Sequence, residues 1–147
     1  MPYDHDMKNW THAMADIEPS LRLHYVTVGQ GERNMVLPHG FPQTWWEWRR
    51  VMPALADAGF RVVAPDYRGA GDSQRTPGGY DKRTMAADLH RLLHRHLQIE
   101  DPIILVGHDI GLMIAYAYCT VLSQRCFPLG DYGCAAPWNG GIRPPEI

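Results

Sequence analysis

Apolar and polar positions follow two different periods along this chain of 147 residues. Between 21 and 28 (LRLHYVTV) the side chains alternate in character, which is typical of a half-buried β-strand. The run 103–106 is continuously apolar and rich in β-branched residues, and the run 60–65 is apolar except at Arg61, which favours strands buried on both faces. Further strands are predicted over 34–37 and, at the edge of the sheet, over 12–18.

Three segments between or after these strands have apolar positions that recur every three or four residues. This period predicts helices over 45–58, over 81–97 and from Ile110 to Tyr118. Pro53 should divide the first of them, because proline removes a helical hydrogen-bond donor. Strands that alternate with helices in this way indicate an α/β fold, with a mostly parallel sheet and helices on both of its faces. Functional residues are then expected at the carboxyl ends of the strands.

The predicted strand at 103–106 runs directly into Gly107-His108-Asp109-Ile110-Gly111. Strand, sharp turn and helix form the context of a nucleophile elbow, in which small residues on both sides let the strand and helix approach closely. The central residue is then exposed on a strained backbone. Here that residue is Asp109, whose carboxylate could attack carbon and form an ester. The alternative is that Asp109 only caps the helix.

Two more motifs come earlier, His39-Gly40-Phe41-Pro42 and the loop 66–73 (DYRGAGDS). Together with the elbow, they resemble the α/β-hydrolase family, and within it most closely the epoxide hydrolases. The resemblance covers residues 12–118. It implies the N-terminal half of an α/β-hydrolase fold without a lid domain.

The resemblance also implies roles for individual residues. Asp109 corresponds to the nucleophile, and the backbone N–H groups of Phe41 and Ile110 to the oxyanion hole. Haloalkane dehalogenases usually carry Trp after the nucleophile and fluoroacetate dehalogenases carry Arg, whereas Ile110 can donate a side-chain hydrogen bond to neither halide nor carboxylate. An epoxide or similar small electrophile is therefore the expected substrate. A dehalogenase-type hydrolase, or a non-catalytic interaction module that keeps the fold, remains the alternative.

Three side chains are weaker candidates for contact with the substrate: His39, Trp45 and His108. Trp45 belongs to an aromatic cluster that either lines a pocket or packs against the sheet. Upstream of it, Thr44 is expected to cap the following helix in a capping box with Glu47.

Other histidines have simpler expected roles. His24 is expected to be an exposed strand residue, and His90 and His94 to lie on a solvated helix face, because no third metal ligand is evident. We expect no metal and no cofactor.

Composition limits the remaining possibilities. The formal net charge is −2 and the isoelectric point is about 6.4, so neither nucleic acid nor an anionic membrane is an expected partner. No apolar run reaches the ~18 residues of a membrane span. The polar N-terminus is unlike a signal peptide, and the cysteine count of three is odd, so we expect a cytoplasmic protein.

The ends of the chain are expected to differ from the core at 12–118. We predict a flexible leader over 1–11 and an irregular tail over 119–147. The resemblance is expected to stop at Tyr118. Under one permitted choice of codons, a one-base shift of the reading frame converts 131–139 into Ile-Met-Asp-Ala-Pro-Leu-Pro-Gly, as the family continues; the alternative is a genuinely divergent tail. The tail is therefore predicted to be out of frame.

This interpretation has two consequences for the chain. The family's lid and general-base histidine would be missing, since no histidine follows His108, so we expect little or no activity from the chain alone. The strand 103–106 would lie at an exposed sheet edge, which would favour self-association. The helix after the elbow is expected to fray soon after Tyr118.

Overall fold

A computed structural model describes residues 9–100 and 102–122 and two short strands further on. Within these residues the chain forms a seven-stranded sheet. In chain order the strands are β1 (Thr11–Glu18), β2 (Leu21–Val28), β3 (Arg33–Val36), β4 (Phe60–Pro65), β5 (Ile103–Leu105), β6 (Phe127–Leu129) and β7 (Gly133–Ala135). The sheet order is β1-β2-β4-β3-β5-β7-β6.

The sheet is parallel in its centre and antiparallel on both sides. Strand β3 pairs in parallel with β4 and with β5. Strands β1 and β2 continue the sheet antiparallel from β4, and β7 and β6 continue it antiparallel from β5. The bounds of β2 and β4 agree with the predicted ones, while β1 begins at Thr11, one residue before the predicted start.

Strand β5 does not lie at an edge of the sheet, so that prediction is wrong. Its Ile104 and Leu105 pair with β3 on one side and with β7 on the other. The chain returns after the elbow helix, and its backbone N–H and C=O groups satisfy the free side of β5. Self-association through an exposed 103–106 edge therefore loses its structural basis.

Helices connect the strands. A 3₁₀ helix covers Trp45–Arg50, and helix α1 follows over Met52–Asp57. This break next to Pro53 confirms that proline divides the predicted helix. Helix α2 covers Lys82–His90 and continues as a π-helix over Arg91–His96.

Helix α3 covers Ile110–Ala117, directly after the elbow. It continues past Tyr118 as a π-helix over Tyr118–Leu122, so the fraying predicted soon after Tyr118 does not begin within the described part of this helix. The rest of the predicted tail, apart from β6 and β7, lies outside the described residues, as does most of the predicted leader.

Apolar side chains fill both faces of the sheet, as predicted. On one face α2 and α3 contribute Met85, Leu89 and Ile114, and on the other α1 contributes the fully buried Met52. Burying a side chain of this size contributes roughly 1.5–3 kcal/mol. The helices therefore fix the sheet, and the sheet fixes the loops at its carboxyl edge.

His24 is buried, contrary to the expectation of an exposed strand residue. Only 4% of it is exposed, because loops cover the second face of β2 as well. Its Nδ1 lies 2.8 Å from Asp66 Oδ2, and its Nε2 lies 3.2 Å from His12 Nδ1. The alternation in β2 therefore separates two covered faces rather than a core from solvent.

His94 is part-buried, and its Nε2 lies 2.7 Å from the hydroxyl of Tyr118, so the solvated-face prediction for it is also wrong.

Across the residues with described positions, no helix has the length and apolar character needed to cross a membrane.

Candidate active site

The elbow places Asp109 between β5 and α3 with φ +51° and ψ −117°. A residue other than glycine in such a conformation costs about 1–3 kcal/mol and persists only where its surroundings fix it. A Cβ at Gly107 would collide with the carbonyl oxygen of Gly111, and a Cβ at Gly111 would collide with that of Pro38. Both glycines are therefore required for the close approach of strand, helix and neighbouring loop.

The carboxylate of Asp109 is exposed and faces the loop that follows β3. Its Oδ2 accepts a hydrogen bond of 3.0 Å from the backbone N–H of Phe41. This bond, and next to it the N–H of Ile110, hold the pKa of Asp109 below its usual range. The side chain makes no capping hydrogen bond to α3, so helix capping does not account for Asp109.

His39 is fully buried beneath this loop. Its Nδ1–H donates to the carbonyl oxygen of Gly40 at 2.7 Å, and its ring stacks on Tyr67 with centroids 4.2 Å apart. Burial lowers the pKa of His39, and the hydrogen bond to Gly40 and the nearby carboxylate of Asp66 oppose this only in part. No surface of this side chain is accessible, so the structure gives no support to the expected substrate contact of His39, which stays a prediction.

Trp45 also lies in the core rather than in a pocket. It is 9% exposed and packs edge-to-face against Trp10 at 5.5 Å between ring centroids. The ring packs among residues of α1 and the sheet, which does not support a contact with substrate, and that contact stays a prediction. The neighbouring Trp46 and Phe41 are the aromatic side chains of this region that remain exposed.

His108 lies at the site, where it contacts Glu47, a residue that the sequence analysis placed in a helix cap with Thr44. Its Nδ1 is 2.6 Å from Oε1 of Glu47, and the other oxygen of Glu47 accepts 2.9 Å from the N–H of Gly40. Thr44 accepts from the N–H of Trp46, but Glu47 does not complete the predicted capping box. The pattern that suggested a local cap therefore concealed a tertiary contact.

The loop 66–73 supports the site from below. Asp66 accepts from the N–H of Trp45 at 2.7 Å, and the hydroxyl of Ser73 donates to the carbonyl oxygen of Asp66 at 2.6 Å. The hydroxyl of Tyr67 donates to the carbonyl oxygen of Gly40 at 3.3 Å. This loop thus acts as a scaffold for the segment that contains Phe41.

An open groove of about 490 Å³ adjoins the elbow. Phe41 and Ile110, which flank Asp109 in space, line it together with Tyr67 and Lys82. Among the residues that the structure describes, no three His, Cys, Asp or Glu side chains are grouped as metal ligands. The groups that the structure brings together at the elbow are the carboxylate of Asp109 and the backbone N–H of Phe41.

Comparison with known proteins gives consistent matches. The sequence profile of the alpha/beta hydrolase fold matches residues 33–126. Soluble epoxide hydrolase of Corynebacterium sp. (strain C12) is 49% identical over 108 residues, which make up 74% of this chain and 36% of that protein. Bifunctional epoxide hydrolase 2 of Rattus norvegicus is 48% identical over 140 residues, 93% of this chain and 25% of that protein.

A solved structure, epoxide hydrolase CorEH without ligand, superposes with a TM-score of 0.69 at 46% identity. The match covers 75% of this chain and 37% of that one. The chain belongs to the α/β-hydrolase fold family, as its fold and profile match show. Within that family it is epoxide-hydrolase-like.

The chain spans between a quarter and about a third of the length of these relatives. Its similarity to them extends beyond Tyr118, contrary to expectation. The profile match reaches residue 126, and the rat match covers more of the chain than residues 1–118 comprise. The out-of-frame tail stays a prediction that the sequence of the gene would test.

Proposed function

We propose that Asp109 is the nucleophile of an epoxide-hydrolase-like reaction. One carboxylate oxygen attacks a ring carbon of the epoxide, the bond from that carbon to the ring oxygen breaks, and an ester forms. The ring oxygen then takes a proton and becomes a hydroxyl group. The observation that carries this proposal is an exposed carboxylate on a strained turn, with Phe41 N–H at 3.0 Å.

The lowered pKa of Asp109 keeps its carboxylate in the ionised, nucleophilic form down to a lower pH than in an ordinary aspartate. The N–H groups of Phe41 and Ile110 would serve in the second step. When water attacks the ester carbonyl, the developing oxyanion needs preorganised donors, and losing one such donor typically lowers the rate by about 10²–10³-fold.

That second step also needs a general base to activate the water. The resemblance assigns it to a histidine far beyond the elbow, and the sequence has none after His108. General acid–base assistance contributes about 10²–10⁴-fold, so its loss affects both ring opening and hydrolysis. We therefore propose that this chain of 147 residues forms the ester slowly and then retains it.

Trapping the ester tests the proposal directly. The chain is incubated with styrene oxide, a reactive benzylic epoxide, and analysed by intact and peptide mass spectrometry. We expect a mass gain of one epoxide molecule on the peptide that contains Asp109. Asp109→Asn should abolish the gain, whereas Asp57→Asn, a matched change at an exposed aspartate of α1, should retain it.

Two results would reject epoxide opening by Asp109. The first is folded protein that stays unmodified, and the second is modification that persists in Asp109→Asn. An alkyl bromide serves as a parallel probe of the dehalogenase alternative. Preferential alkylation of Asp109 by the bromide, with loss of bromide ion, would favour that alternative.

A further inference from the structure

We propose that Glu47 is a positioning residue that holds the loop 39–42 against the elbow. This inference rests on the proposed function of Asp109. Its role would be to keep the donor N–H of Phe41 aimed at the carboxylate of Asp109. Glu47 itself would not contact the substrate.

Glu47 contacts Gly40 and His108, which directly precede Phe41 and Asp109, the two residues joined by that hydrogen bond. Oε2 accepts 2.9 Å from the N–H of Gly40, the residue before Phe41. Oε1 lies 2.6 Å from Nδ1 of His108, the residue before Asp109. One carboxylate therefore ties together two loops that lie far apart in the sequence. Two successive N–H groups, of Gly40 and Phe41, point to the carboxylates of Glu47 and Asp109 respectively.

The space between the loops leaves little room for another arrangement. A Cβ added at Gly40 would lie 2.7 Å from Nδ1 of His108 and 3.2 Å from Cβ of Asp109. The side chain of Glu47 is only 19% exposed, whereas that of His108 is 54% exposed. The carboxylate is thus shielded at the junction, and its imidazole partner lies on the solvent side.

An effect of the charge of Glu47 and an effect of its positioning role would shift the pKa of Asp109 in opposite directions. If Glu47 acted only through its negative charge, removing that charge would lower the pKa of Asp109 further. If Glu47 positions the loop, releasing it weakens the hydrogen bond from Phe41, which is the main cause of the lowered pKa. The pKa of Asp109 would then rise.

Four variants separate these effects. Glu47→Ala removes the carboxylate, Glu47→Asp keeps the charge but shortens the reach, and Glu47→Gln keeps the reach without the charge. Glu32→Gln removes one exposed charge elsewhere and serves as the control. The carboxyl carbon of Asp109 is titrated by ¹³C NMR, and the rate of its modification by styrene oxide is measured by mass spectrometry.

We expect Glu47→Ala and Glu47→Asp to raise the pKa of Asp109 and to slow its modification by about 10–100-fold, as expected for a displaced reacting group. Glu47→Gln should leave the pKa of Asp109 and its rate of modification close to those of the unsubstituted chain, because its amide oxygen can still accept a hydrogen bond from the N–H of Gly40. Should Glu47→Ala not fold, the comparison of Glu47→Asp with Glu47→Gln carries the test. A lowered pKa in Glu47→Gln with no change in Glu47→Asp would overturn the proposal.

The two readouts also separate this inference from the proposed function. If the unsubstituted chain is not modified but the titration shows the expected order, the nucleophile proposal fails and the positioning role stands. If the unsubstituted chain is modified and all four variants react and titrate alike, the positioning role fails alone.

Discussion

Two aspartates end strands on either side of β3, and their environments are opposite. Asp66 follows β4 and is almost fully buried, with its carboxylate bonded to Trp45 N–H at 2.7 Å and next to His24 Nδ1 at 2.8 Å. Asp109 follows β5, is exposed, and has a backbone φ of +51°. The residue type and the edge of the sheet are the same, so neither explains the difference.

The difference lies in backbone geometry and in how many donors each carboxylate has. Both oxygens of Asp66 are engaged by buried groups, Oδ1 by the N–H of Trp45 and Oδ2 by the ring of His24, so this carboxylate fixes the fold. A weaker contact of 3.4 Å reaches Oδ2 from the N–H of the exposed Asp72. Asp109 keeps accessible lone pairs because its strained turn projects it outward. The two aspartates at this sheet edge thus differ in whether their oxygens are already hydrogen-bonded and in their exposure to solvent, not in residue type.

The largest effect on the free energy of unfolding should come from removing the carboxylate of Asp66, whose two oxygens are both hydrogen-bonded. Asp66→Ala leaves the N–H of Trp45 and the ring of His24 without their buried partner, which should lower the free energy of unfolding by roughly 3–5 kcal/mol. Asp109→Ala should change it by less than about 1 kcal/mol. Urea denaturation measures both values, and similar losses in the two variants would remove the contrast.

The next effect tests the close packing beneath Asp109. Gly111→Ala places a methyl group against the carbonyl oxygens of Pro38 and His39. Such overpacking should cost about 1–3 kcal/mol. The matched control is Gly78→Ala, since nothing lies within 4 Å of a Cβ at that position. Thermal unfolding compares the two, and equal melting temperatures would show that the elbow tolerates a wider separation.

A smaller effect of opposite sign should follow from relieving the strain at the elbow. Asp109→Gly removes a strain of about 1–3 kcal/mol, offset in part by the greater backbone entropy of glycine in the unfolded chain, about 0.5–1 kcal/mol. We expect the free energy of unfolding to rise by about 1 kcal/mol while modification by epoxide disappears.

Gln98 provides the control for this change, because it also has a positive φ, +52°, and lies outside the site. Gln98→Gly should be similarly stabilising and should leave modification of Asp109 intact. A clear loss of stability in Asp109→Gly, in the same urea experiment, would mean that the turn is not strained.

The smallest effect concerns pH. The pKa of Asp109 is lowered in the folded state, so its favourable hydrogen bond is present above the ordinary pKa and is lost as pH falls through the folded value. The rate of modification by epoxide should therefore fall with a midpoint below the ordinary aspartate value of about 3.9. Circular dichroism at each pH verifies folding. A midpoint at or above the ordinary value would contradict the donor role of Phe41.

Local patterns predicted the frame of this molecule well. Alternation and apolar runs gave β2 and β4 with their observed bounds, and Pro53 divided its helix as expected. The glycines at 107 and 111 predicted the close approach at the elbow, because a Cβ at Gly107 would collide with Gly111, within five residues. The collision of a Cβ at Gly111 with Pro38 is a tertiary contact that the local pattern does not show.

The misplaced residues share a different property, which is that distant segments decide their environment. His24 is buried beside the loop that begins at Asp66, and the ring of Trp45 packs among residues of α1 and the sheet. No local period reveals these contacts. Glu47 fits a helix cap by spacing, yet a hydrogen bond to Gly40 outcompetes that cap. The partner of β5 is a short strand, Gly133–Ala135, whose sequence has no strand pattern of its own.

The contact between Phe41 and Asp109 has a consequence for how the molecule folds. It joins residues 68 positions apart, and the intervening chain contains β4 and α2. Closing a loop of that length is entropically unfavourable until the parallel pairing of β3 with its neighbours offsets it, so this contact should form late. The rate at which an epoxide modifies Asp109 during refolding would therefore report when the central sheet is complete. Chains that have formed only their helices would stay unmodified.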